Sequence, residues 1–569
     1  HASDSYCMSD EETSLIGRYS NISIKDFGRG ALDLDWFNRV YPQIGKANWS
    51  TLTEFAKYTQ GGHRLVKLYS SIILKEIKIR EINQKIKTKR DKDYLRGLGL
   101  VPLSAKNPQK DLLTRYNLMQ TFLKESKQFG SQRQESEKNA VEIAMDNLSR
   151  TAGYSDSIRL SLAMEAKATK EIMQKAILKF DEVVLELKIN DFGKADIFVS
   201  KKGKSQKSIP SKYKKDKAVK ELVANKNYLK KQYSRIIKFL EASMLSQELF
   251  SFEEVAMLMQ HPVVKALLSK LVLQSTDKSG FWKEDCLVDI EGNRVESTEA
   301  DTFMIAHPVH LNKQKVWSDY QKYAFDNELV QPFKQIFREL YLVTEDEKEK
   351  AIHSKRYEGH QIQVQKTVAL LKTRGWKVDY DEGLHKVFHK EGYVARIYAM
   401  ADWFSPSDVE APTLEHVSFE SIKDYKNVKL IDVDEVLFSE VMRDVDLVVS
   451  VAHVGGVDPE ASHSTLEMRA VLAKESARLF KLDNIEVKER HVIIKGKLAT
   501  YSIHLGSGMV SKDGLSLSII PVHSQHRGRL FLPFIDDDPK SAEIISKMKL
   551  LAEDDKIQDP TVLSQILGK

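Results

Sequence analysis

An α+β architecture is predicted, with a mainly helical N-terminal two-thirds that carries a small hairpin. A C-terminal, mostly antiparallel sheet flanked by helices follows. Three observations predict it. Apolar residues recur at helical spacing through long stretches before residue 270. Two β-prone runs flank an Asn-Asp-Phe-Gly turn near residue 190. Beyond residue 480, short β-prone runs alternate with Lys-Gly, Gly-Ser-Gly and Asp-Gly dipeptides.

Taken in chain order, Leu65, Leu68, Ile72, Ile79, Ile82 and Ile86 form one apolar stripe, which predicts a single long helix. Pro102 and Pro108 bracket a break. Gly130 stops a helix, and Ser131 with Gln134 offers a capping box for the next, whose inner face is Val141, Ala144, Met145 and Leu148. Gly153 is placed to end that helix, and Asp156 to cap a third. "VVLELKINDFGKADIFVSKKGK" reads as the hairpin, and helices are expected to resume through "FEEVAMLMQHPVVKALLSKLVLQ". Residues 361–400 read helix, Gly375 stop and three strands, the order of a winged-helix unit, with Lys366, Lys372 and Arg374 basic. "SPSDVEAPTLEH" reads as a linker, and "VDLVVSVAHV" (445–454) as a buried strand. Ser464 and Glu467 suggest a capping box before the last β-runs. The expected regions are 1–180, helical; 181–350, hairpin then basic helices; 351–405, helix plus hairpin; and 406–569, the C-terminal α+β domain.

Bulk chemistry narrows the function. The chain has 569 residues and is 42% hydrophobic, ample for buried cores. With 87 basic and 81 acidic side chains, net +6, any affinity for a polyanion must come from a local patch. Two cysteines, without a Cys-x-x-Cys pair, point to a reducing, cytoplasmic setting without a zinc site. No apolar run is long enough to cross a bilayer, so no membrane partner is expected. The chain starts at His1 without a methionine, which suggests a piece of a longer polypeptide or of a complex.

"YLRGLGLVPL", "ESKQFGSQRQESEKNAVEIAMDNLSRTAGYSDSIRLSLAMEA", "HPVHL", "LVQPFKQIFRELY", "EVMRDVDLVVSVA" and "FLPFIDDDPKSAEIISKMKLLAEDDKIQDPTVLSQI" give a resemblance that runs from about residue 60 to the end. The chain resembles the C-terminal half of the MolR-like proteins, large bacterial proteins of unknown function named for a proposed regulator of molybdate metabolism. The resemblance implies a regulatory protein and supplies no catalytic residues. Some members carry a Trp-Gly-Arg-rich module, which this sequence lacks.

Two functional classes compete. In a binding protein, regulatory or scaffolding, the interface would be the basic block 201–238, with fourteen Lys and Arg against Asp216 and Glu221. Lys212, Lys214, Lys215, Lys217, Lys230, Lys231 and Arg235, with Tyr213, Tyr228 and Tyr233 between them, would contact nucleic acid or an acidic partner; the plain alternative is a solvated helix face. In an enzyme acting on a phosphate-containing ligand, a nucleotide or nucleic acid, the C-terminal domain would use His504, Arg527, Asp536 and Asp537. There the Gly506-Ser507-Gly508 turn could offer backbone amides to a phosphate. The aspartates also have a plain reading, since Asp538-Pro539, Asp559-Pro560 and Asp458-Pro459 each suit a helix start. A further ligand site is suggested by the acids and arginines Arg443, Asp444, Glu467 and Arg469. No metal site is expected, and no cofactor is indicated.

Overall fold

The computed structural model describes residues 30–567 together with Ser20, Ile22 and Phe27, apart from 59–61, 296–299, 349–350, 380–382, 389–390, 400–410, 453–460, 513, 518, 520–530 and 537. The class is α+β, with helices first and antiparallel sheets with flanking helices after them. Two compact units are formed. The first holds residues up to 188 with 197–226 and 257–262; the second holds 189–196, 227–256 and 263 onward.

The first unit is built from α1 (Leu34–Phe55, bent at Gly45), α2 (Gly62–Ile73), α3 (Ile79–Lys89), α4 (Lys92–Leu98), α5 (Pro108–Glu125), α6 (Ser131–Thr151) and α7 (Ser157–Gln174). The stripe of 65–86 is two helices, not one. Lys75 turns left-handed at φ 62°, and the Glu76 amide closes back on the Ser71 carbonyl. Both pieces still bury their isoleucines, Ile72 and Ile73 and then Ile82 and Ile86, in one core with Val141, Ala144 and Leu148 of α6. The break turns the chain while the apolar spacing continues. Asp156 caps α7 through the amides of Ile158 and Arg159, and Gly153 follows α6 at φ 78°, as their chemistry predicts. The Ser131 capping box does not form: Gly130 is the N-cap, and the Gln134 side chain donates through Nε2 to the Phe129 carbonyl instead.

The hairpin forms as expected within a four-stranded antiparallel sheet of β1 (Ile177–Phe180), β2 (Val183–Ile189), β3 (Ala195–Lys201) and β4 (Lys204–Gln206). Next comes α8 (Lys217–Leu245), which gives its first ten residues to the first unit and the rest to the second. The helices expected through 252–274 form over most of that stretch, but its end turns to strand and a sheet is built around them. Strands before and after α9 (Phe252–Leu258) and α10 (Pro262–Leu268) make a six-stranded sheet, ordered β5-β10-β6-β7-β8-β9: β5 is Phe250–Ser251, β6 Val272–Ser275, β7 Lys278–Lys283, β8 Cys286–Val288, β9 Arg294–Val295 and β10 Thr302–Ile305. Strands of two to six residues carry too little period-2 signal to compete with the helical run before them.

The rest of the second unit has two cores. One gathers strands β11 (His353–Ser354), β12 (Lys377–Asp379), β13 (Gly383–Phe388), β14 (Tyr393–Ala399) and β15 (Leu414–Ser421) in the order β11-β15-β14-β13-β12, after helices α11 (Pro308–Lys313), α12 (Trp317–Asp326) and α13 (Glu345–Lys348). Helices α14 (Val364–Lys372) and α15 (Glu435–Ala452) cover this sheet. Within the strand expected at 445–454, residues 445–452 are therefore the end of α15, and 453–454 lie outside the described residues. Val441, Met442, Val445, Val448, Val449 and Ala452 are buried at helical spacing; a helix enclosed on nearly all sides shows the same unbroken apolar run as a buried strand. In the other core, α16 (His463–Leu479), α17 (Pro539–Ala552) and α18 (Pro560–Leu567) pack on the antiparallel meander β16 (Ile485–Val487), β17 (His491–Lys495), β18 (Thr500–His504), β19 (Val510–Lys512) and β20 (Leu515–Leu517). Ser462, not Ser464, caps α16; Ser464 donates to the Leu340 carbonyl and Glu467 is exposed. Among the described residues no helix is long and apolar enough to cross a membrane.

Candidate functional site

Helix α8 has two faces with opposite chemistry. Leu229, Gln232, Ile236, Phe239, Leu240 and Met244 are buried. Asn227, Lys230, Lys231, Ser234, Arg235 and Lys238, at spacings of three and four, are exposed and line a shallow groove of about 700 Å³. Among the described residues no ion pair joins Lys230, Lys231 or Lys238 to a carboxylate. Lys212, Lys214, Lys215 and Lys217 are exposed as well, but they belong to the first unit. Of the three tyrosines set among these cations in the sequence, Tyr228 is exposed and the other two are withdrawn. Tyr213 stacks on Phe180 at 4.5 Å, and the hydroxyl of Tyr233 is sealed from solvent beneath Lys194.

The acidic run ahead of α17 has a structural role. Asp538 accepts from the Ser541 amide at 3.0 Å and caps α17, while its second oxygen meets Lys334 Nζ at 2.7 Å. Asp559 serves α18 in the same way through the Thr561 amide. Asp536 accepts from the Lys334 amide, and burial pushes its carboxyl above the ordinary range. Asp537, Arg527 and the Asp458-Pro459 pair lie outside the described residues.

These contacts open onto a buried charge network that sequence reasoning missed. Arg338 donates through Nε and Nη2 to Glu440, at 2.6 and 2.7 Å, and through Nη1 to Glu241 at 2.9 Å. His307 Nε2 approaches the same Glu440 oxygen at 3.1 Å. Arg443 pairs with Glu339 at 2.9 Å, and Glu339 with Lys334 at 2.8 Å. Burial alone would raise Glu440, but the Arg338 guanidinium overrides it and holds the carboxyl well below the usual carboxylate range. No local signal marks the network, because Arg338 and Glu440 stand 102 positions apart. Every strong donor in it faces an acceptor, so it braces the fold and offers little to a ligand.

Burial depresses His307 despite Glu440, and depresses His310 to about 4, with the neighbouring His307 and Lys313 adding to the effect against Asp434 and Glu435. Arg338 and Arg443 also face His307. The unfolded chain therefore takes up protons that the folded chain refuses. Stability is expected to fall as the pH drops from about 6.5 toward 4. Urea unfolding at pH 7, 6 and 5 checks this, with His310→Gln flattening the slope. An unchanged midpoint across that range in the parent protein would contradict it.

The described C-terminal candidates each meet partners of their own. His504 ends β18 and accepts from the Ser507 amide, while the Gly508 and Met509 amides are bonded within the turn. The Ser507, Gly508 and Met509 amides that the turn could offer to a phosphate are thus already engaged. The carbonyls of the turn instead receive Arg469, Lys540 and Lys547. Arg443 and Asp444, adjacent on α15, diverge: Arg443 joins the network above, while Asp444 accepts from Arg374, Trp376 and Lys386 in the neighbouring core. Glu467 is exposed beside His463. The pocket expected of Arg443, Asp444, Glu467 and Arg469 is replaced by separate structural contacts, and Arg374 is taken from the basic face of the helix-plus-hairpin unit. Among the described residues no three His, Cys, Asp or Glu side chains are placed to hold a metal ion.

Three family models match parts of the chain. Residues 1–164 match a family of unknown function, DUF5724; residues 203–376 match a domain of unknown function, DUF4132; and residues 466–566 match a domain of unknown function, DUF7737. No curated protein and no solved structure matches it. The chain is thus similar, over three separate stretches, to domains for which no activity is described.

Proposed function

We propose that this is a cytoplasmic regulatory or scaffold protein whose basic surface binds nucleic acid or an acidic partner. One observation carries the proposal. The α8 groove keeps Lys230, Lys231 and Lys238 exposed and without carboxylate partners, in a protein that otherwise pairs its buried cations closely. A solvated helix face usually intersperses both signs of charge, and this stretch does not. Resemblance to the MolR-like bacterial proteins agrees with a regulatory role, and the two cysteines agree with a reducing compartment. Retention on a heparin resin at low salt, released by added salt, is expected. Charge reversal at Lys214, Lys215, Lys230 and Lys231 should abolish it. A protein that passes through the resin at low salt would sink the proposal.

A further inference from the structure

We infer that the Lys230–Lys238 face of α8 docks on the phosphate backbone of double-stranded DNA, without reading its bases. This rests on the basic-surface reading above and narrows it to one ligand. The face combines four cations, Lys230, Lys231, Arg235 and Lys238, with two short hydrogen-bonding side chains, Asn227 and Ser234. Amide and hydroxyl side chains set between cations are the usual complement of phosphate oxygens.

What the face lacks selects among polyanions. A protein partner needs aromatic or aliphatic anchors seated in a pocket, and the six groove residues include none. A single strand is held by stacking its bases on aromatic rings. Tyr233 is sealed and Tyr213 is stacked on Phe180, which leaves one exposed ring, Tyr228, outside the groove residues, and one ring does not continue a stack. A duplex, held by its backbone, needs neither. The cations span about 12 Å of helix, at 1.5 Å per residue over eight residues. A helix with its side chains is about 10–12 Å across, close to the roughly 12 Å major groove of B-form DNA. Lysine arms on the two flanks of the stripe then reach the two phosphate rims. The deep, narrow major groove of an RNA duplex does not admit such a rod.

Three to four neutralised phosphates give an expected slope of log affinity against log salt of roughly −3 to −4. That is about a 100-fold loss between 50 and 200 mM salt. The test is fluorescence anisotropy of the full chain with labelled 30-base-pair DNA duplexes of unrelated sequence, in competition with an RNA duplex of equal length and with polyglutamate. Expected are similar affinities for all the DNA sequences, that slope, and loss of at least 50-fold in K230E/K231E/R235E/K238E. The exposed positions leave the buried face of α8 intact, so thermal melting should match the parent; K230Q/K231Q/K238Q, with a smaller loss and a shallower slope, serves if the reversal does not fold. Equal or tighter binding of polyglutamate, or preference for RNA, would overturn the DNA assignment while leaving the basic surface as a binding site. Binding unchanged in both variants would overturn the placement on α8. No binding to any polyanion at low salt would overturn this inference and the reading beneath it together.

Discussion

Replacing Arg338 by alanine is expected to destabilise the second unit by about 3–5 kcal/mol, the range for breaking a buried ion pair from one side. The guanidinium is 1% exposed and holds Glu440 by two bonds and Glu241 by a third. Its loss leaves Glu440, buried in the same place, with His307 as its hydrogen-bond partner and only the more distant charge of Arg443 to answer it. Glu241 is less affected, because its side chain is 35% exposed and can turn to water. Most of the cost therefore belongs to one uncompensated carboxylate. The double variant Arg338→Met/Glu440→Leu removes both charges and should recover more than half of the loss, since an apolar pair of similar volume needs no desolvated charge. Urea unfolding of the three proteins decides the matter. A single variant that loses less than about 1 kcal/mol, within the range of an exposed pair, would show that the network is wet and carries no such role.

Asp554 is the second position where one substitution should be severe. It is fully buried, in the turn after α17, and its carboxylate accepts from the amides of Lys497, Leu498 and Ala499 at 2.9, 2.8 and 3.3 Å and from the Tyr501 hydroxyl at 3.0 Å. These bonds hold the β17–β18 turn. Gly496 leaves the room for them, since a side chain there would collide with the Asp554 carboxylate. Asp554→Ala strands three part-buried amides and the buried Tyr501 hydroxyl at once and should cost about 3 kcal/mol. Burial and the Asp554 charge together hold the Tyr501 hydroxyl above its ordinary range. In Asp554→Ala the tyrosine should titrate at lower pH, and the amides of 497–499 should exchange faster while those of α14 and α15 do not change. Uniform acceleration across both cores would instead mean general loosening, and the turn would not be the seat of the effect.

The two aspartate clusters show how far a sequence carries a site argument. Asp538 before Pro539 and Asp559 before Pro560 are legible as helix caps because the bond runs to an amide two or three residues on. The further bond of Asp538 to Lys334 spans 204 positions and has no local trace. Ser464 and Glu467 fit a capping box by spacing, yet a carbonyl at Leu340 claims Ser464 and the cap falls to Ser462. Arg443 and Asp444 look like one cluster because they are neighbours in the chain. On a helix, consecutive residues point about 100° apart, so they enter different cores.

From the sequence alone follow the α+β class, the hairpin near 190, the helix stops and caps made by glycine and aspartate, and the density of lysine in 201–238. Each depends on interactions within a few residues, where period and residue type suffice. Tertiary structure decided that 445–452 is helical, that 250–305 holds a sheet, that Arg338 binds Glu440, and which lysines line one groove while others belong to another unit. Those outcomes depend on what a segment is buried against, and burial is set by contacts between residues remote in the chain, which a local pattern cannot encode.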